Sequence, residues 1–152
     1  MSGTNGGYTA PHPMGEVFGA DADLQPVATG TWVATGAQAA LPEAGTYLVS
    51  ADFFSHINAT TPWAVAINVR LFEVGAGAPV PNTVRRVQFA NINDSGGGTV
   101  MSLQNAGSLE RFVTVAGPTT IRLEGQRTHV GFNDSTEAIL STPRLAFIKE
   151  AN

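Results

Sequence analysis

The sequence predicts an all-β protein, an antiparallel β-sandwich with an extended N-terminal arm. Three observations carry that prediction. Apolar residues recur with period two, as in Tyr47, Val49, Ala51 and Phe53, which share one face of a pleat. The apolar runs are short and are broken by Gly, Pro, Asn and Asp. Helix signals are weak throughout, so no helical crossover is on offer and neighbouring strands are expected to pair antiparallel.

Residues 1–25 differ in kind from the rest. Gly, Pro, Asn and Asp dominate them, and the apolar residues Tyr8, Met14, Val17, Phe18 and Leu24 follow no period. This arm is either a disordered tail or an extended segment that docks on another molecule. Its larger apolar residues favour docking, with Tyr8, Pro11, Pro13, Met14, Val17 and Phe18 as the partner-binding set. The sandwich domain then occupies 26–152, with strands expected over 27–34, 37–41, 45–54, 63–74, 83–91, 99–104, 109–116, 119–128 and 143–149.

Pro42 and Gly45 release the run 45–54, whose exceptions to alternation are Leu48 and Phe54 on the otherwise polar side. In 63–74, Trp63, Val65, Ile67, Val69 and Leu71 face one way and Asn68 and Arg70 the other. Ile121 and Leu123 alternate with Arg122 and Glu124, and Leu145 and Phe147 with Arg144 and Ala146. Ala116-Gly117-Pro118 reads as a tight turn, and Asn93 to Gly98 as a flexible hairpin tip. This number of short strands in so short a chain points to a jelly roll.

With 152 residues the chain is long enough for one domain with its own core. The absence of cysteine removes disulfides, thiolate metal sites and cysteine nucleophiles. Net charge is −4 and only 13% of residues are charged, a surface suited to packing against copies or partners. Eight Lys and Arg, with Arg85-Arg86 the sole adjacent basic pair, cannot neutralise many phosphates, so nucleic acid is not an expected partner. The N-terminal segment has neither the basic flank of a secretory signal nor a continuous apolar run, and no membrane anchor is expected there.

Chemistry is sparse. His12, His56 and His129 lack i, i+2 or i, i+4 partners and read as surface or loop histidines, so no metal site is expected. His129, Asp134 and Ser135 hold the residue types of a hydrolase triad, but no Gly-x-Ser-x-Gly elbow holds the nucleophile, and they read as turn residues. Gly96-Gly97-Gly98 lacks the lysine and helix start of a phosphate cradle. Asp94 beside Asn91 and Asn93 lacks the spacing of a calcium loop. Sequons at Asn58, Asn93 and Asn133 carry no glycan without a secretory route, and the carboxylates are scattered rather than paired for glycoside hydrolysis. No enzyme activity and no cofactor are expected. Lectin-like binding through Trp63 or Trp32 stays open, against the reading of Trp63 as core or interface.

The run Ala44-Gly45-Thr46-Tyr47-Leu48-Val49-Ser50-Ala51, the later Val69-Arg70-Leu71-Phe72, the Ala116-Gly117-Pro118-Thr119-Thr120-Ile121-Arg122-Leu123 segment and the closing Leu145-Ala146-Phe147-Ile148 resemble the order of elements in jelly-roll domains of the tumour-necrosis-factor and complement type. The resemblance covers roughly 27–149 and speaks to fold more than to function. Small jelly rolls of this kind serve tailed bacteriophages as head decoration (cement) proteins and as fibre tips. The resemblance implies a homo-oligomer, with a trimer favoured, and candidate subunit-interface residues Trp63, Phe54 and Phe72. One short arm ahead of the first strand, with no long stem, favours decoration of the head. The function implied is a capsid cement protein that binds the major capsid protein on the outside of the virion, made in the host cytoplasm. The alternative is a receptor- or glycan-binding module of a tail or fibre.

Overall fold

The computed structural model describes residues 12–94 and 96–152. Among these, ten strands form two antiparallel sheets packed face to face. They are β1 (Met14–Phe18), β2 (Ala22–Asp23), β3 (Trp32–Leu41), β4 (Gly45–Thr60), β5 (Trp63–Glu73), β6 (Ala78–Pro79), β7 (Arg85–Ile92), β8 (Val100–Val115), β9 (Thr119–His129) and β10 (Ser135–Ala151). Sheet I runs β1-β10-β4-β8, with β2 also on β10. Sheet II runs β3-β9-β5-β6, with β7 also on β5. Successive strands cross repeatedly between the layers, and this crossing makes the sandwich a jelly roll.

The period-two pattern does what it promised. Tyr47, Val49 and Ile57 from sheet I meet Trp63, Ile67, Val69, Leu71, Ile121 and Leu123 from sheet II in one core, each with 1% or less of its surface exposed. Tyr47 also spans the end of the layer. Its hydroxyl donates to the Glu43 carbonyl at 2.9 Å, and its ring meets Phe147 edge-on with centroids 5.9 Å apart. At the other end the buried guanidinium of Arg127 donates to the carbonyls of Leu24 and Val27 and pairs with Asp134. That tether makes 24–31 a packed loop, where the sequence suggested a strand from 27.

The sandwich begins earlier than residue 26. Met14–Phe18 pairs with Arg144–Ile148 of β10, Ala22 and Asp23 pair with Leu140 and Ile139, and Leu24 is wholly buried. Strands of five and two residues at an edge are too short for a period to register. Tyr8 and Pro11, named above for docking, lie outside the described residues.

Several expected breaks are continuous strand instead, two of them through a bulge. β3 runs unbroken through Gly36, whose φ of 82° carries the register shift between Ala34 and Gln38. β8 continues through Asn105-Ala106-Gly107-Ser108, because Gly107 lies opposite Phe53; a Cβ there would sit 2.4 Å from the phenyl ring. β10 starts at Ser135 rather than 143 and passes Thr142-Pro143 as a bulge between Ser141 and Arg144. The proline lacks an N–H to give, so the ladder skips it, and Gly19 donates to its carbonyl at 2.8 Å. At that gap β1 hands over to β2.

Candidate interaction surface

The outward positions of sheet I follow from its register. Met14, Ile148, Leu48 and Phe112 line up side by side across β1, β10, β4 and β8. This is an apolar row across the whole sheet on its solvent side. Met14 and Phe112 are 67% and 62% exposed. Phe18 and Phe54 stand exposed on the same face. A shallow groove of about 370 Å3 follows the row between Met14, Leu48, Arg144 and Ile148. Apolar side chains massed on one wet face are a general feature of surfaces that pack against a partner.

Between the row and Phe54 lies an ion cluster. Arg144 donates to Glu16 at 2.6 and 2.9 Å and to Asp52 at 2.9 Å. These two carboxylates hold its proton more firmly than usual, Glu16 first. A second groove of about 440 Å3 runs past Phe54, His56, Gln104 and Glu137. His56 is not at a strand end, as its sequence context suggested, but mid-strand between Ile139 and Gln104, with Nε2 3.6 Å from Glu137.

Sheet II carries a different cluster on its outer face. Glu124, nearly buried, accepts from Arg70 Nε at 2.8 Å and from Arg122 at 2.7 and 2.9 Å. Arg70 stacks over Trp32 at 4.2 Å and Phe72 at 5.2 Å, and Arg122 over Phe72 at 4.5 Å. Farther along, exposed Arg86 lies 5.1 Å from the ring of exposed Phe89.

The structure thus gathers Met14, Phe18 and Phe54 on one face and puts Phe72 on the opposite one. Val17 turns inward opposite Leu145, and the Pro13 carbonyl accepts from Lys149 N at 2.8 Å. Trp63 is fully buried, so it is neither a subunit contact nor an exposed sugar platform: it heads the inward parity of β5. Phe112 and Ile148 were not singled out in the sequence. Leu48 and Phe54, the two exceptions on the polar side of β4, were the signal for this face.

The residues of the supposed triad do not converge on a nucleophile. His129 contacts the Phe132 carbonyl; Asp134 pairs with Arg127 and accepts from Ser135 N at 2.7 Å and Oγ at 3.3 Å, and Ser135 Oγ also donates to Gln25 at 2.6 Å. Among the described residues no group of three or more His, Asp or Glu is placed to hold a metal ion. Asp94 caps its loop, accepting from Gly96 N at 3.0 Å and from the hydroxyls of Thr99 and Thr61 at 3.2 Å each. These donors, Gly96 first, hold its carboxyl below the ordinary value.

The architecture defines a class: an antiparallel jelly-roll β-sandwich. No family model and no curated protein matches the chain. Solved structures match in fold. The VP2 subviral particle of infectious bursal disease virus aligns with a TM-score of 0.52 at 15% identity, over 90% of this chain and 32% of that one. The T=1 particles derived from infectious bursal virus give 0.52 and 15% over 90% and 31%, and the Gt strain of infectious bursal disease virus 0.51 and 13% over 91% and 33%. The chain spans about a third of the length of the solved chains it matches, and at such identities the likeness is one of fold.

Proposed function

We propose that this chain is a non-enzymatic structural component of a virus particle, a head decoration (cement) protein that binds the outside of the assembled shell. The observation that carries the reading is the Met14-Ile148-Leu48-Phe112 row on the solvent side of a capsid-like jelly roll. Burying a side chain such as Phe112 contributes about 1.5–3 kcal/mol, so a few such contacts per copy, repeated over a shell, add up. The contact surface also takes in the N-terminal segment, with Tyr8, Pro11 and Pro13 leading into β1, and its partner is the major capsid protein. A protein that binds only the assembled shell stabilises it by mass action, about 2.7 kcal/mol per site at a hundredfold excess over Kd.

The test is direct. Purified virions are assayed for the chain by mass spectrometry, then stripped of it and heated beside intact ones. Earlier rupture of the stripped particles, restored by adding the protein back, is the expected result. Absence of the chain from virions, or an unchanged rupture temperature, would show the reading to be wrong.

A further inference from the structure

The two outer faces both carry aromatic rings and are opposite in charge. Outward strand positions of sheet I hold Glu16, Asp23, Asp52, Glu110 and Glu137 against Arg144. Those of sheet II hold Arg70, Arg86 and Arg122 against Glu124. Exposed rings stand among both sets: Phe18, Phe54 and Phe112 on one, Phe89 beside half-buried Trp32 and Phe72 on the other. Arg70 commits its Nε to Glu124, and Arg122 its Nε and Nη2. Their other nitrogens have no partner within the chain among the described residues and remain able to meet further carboxylates.

We propose that the partner of each face is the other face of a second copy: sheet I of one molecule packs its outer surface on sheet II of the next. Sign decides between the possible pairings. Sheet I against sheet I sets carboxylates against carboxylates, a like-charge arrangement that opposes contact, and sheet II against itself does the same with guanidiniums. The mixed pairing joins opposite signs and aligns the aromatic residues of both faces. Such a contact is heterologous, so it closes into a ring or grows into an open chain. This goes beyond the shell reading and claims the same face of sheet I, so a second copy and the shell compete for it; self-association is measured without any shell, so either reading can fail while the other stands.

Glu110 and Arg86 are the residues to change, since both are exposed and neither makes a hydrogen bond or ion pair within the chain among the described residues. The full chain, Glu110→Lys and Arg86→Glu are each followed by sedimentation velocity over a wide concentration range, with circular dichroism melting to show that each variant is folded. The unchanged chain associates, and each variant associates roughly tenfold more weakly. An equimolar mixture of the two regains association, because an unaltered sheet I then meets an unaltered sheet II. A chain that stays monomeric at every concentration overturns the proposal. So do variants that associate like the unchanged chain, or a mixture no better than its parts.

Discussion

Each outer face carries one arginine–carboxylate cluster, and the two are built in opposite proportion. On sheet I a single guanidinium, Arg144, sits between Glu16 and Asp52; on sheet II a single carboxylate, Glu124, sits between Arg70 and Arg122. Their solvent access differs as much as their sign. The sheet I side chains are 31%, 46% and 54% exposed, whereas Glu124 is 4% exposed, held by two guanidiniums that themselves stack on Trp32 and Phe72. Water and salt screen the first cluster, and the second has exchanged water for its partners. The same chemistry therefore does two jobs: it anchors β5 to β9 on sheet II, and on sheet I it leaves charge available at the surface.

The largest expected effect breaks the anchor. Glu124→Gln leaves two packed guanidiniums facing an uncharged amide, and urea unfolding is expected to show a loss on the order of 3 kcal/mol. Asp52→Asn, the matching change on sheet I, is expected to cost under about 1 kcal/mol, with most of that difference gone at high salt. If the two substitutions cost the same, the contrast between the faces is not one of burial. Phe112→Ser should change stability by about 0.5 kcal/mol or less, because the ring is exposed, while removing binding to shells in a co-sedimentation assay.

The smallest effect lies in the crossover from β7 to β8, which carries the chain from one sheet to the other. The Asp94 carboxyl is held below its ordinary value, so its contribution is fully present above that value and is lost as pH falls through the lowered one. The protection of the Gly96 and Thr99 amides, measured as exchange relative to the intrinsic rate at each pH, should therefore be unchanged from neutral pH down to the ordinary carboxylate range and fall only below it. Asp94→Asn should lose that low-pH step.

Much of this architecture is legible in the sequence, and the rest is not, for particular reasons. The inward parity of β4, β5 and β9 is written in alternating residues, because each strand lies in the middle of a layer and buries one face along its length. β1 and β2 lie at an edge, where five and two residues suffice for pairing, and nothing periodic marks them. The Glu124 cluster joins residues 54 positions apart through strand register, which no local window contains. Trp63 heads an alternating strand, a pattern that core and interface share; only the position of β5 opposite β4 and β10 decides for core.

β1 also matters for what it covers. Along Arg144–Ile148 it is the outer neighbour of β10, and the opposite side of that stretch is already paired with β4. A shortened chain beginning at Leu24 would lose more than a tail: it would lay open a row of unpaired amides and carbonyls next to Ile148 and Phe147, a ready template for strand addition by another molecule. Precipitation of such a shortened protein would then report a bared edge, and the five residues Met14–Phe18 would be keeping the protein in solution.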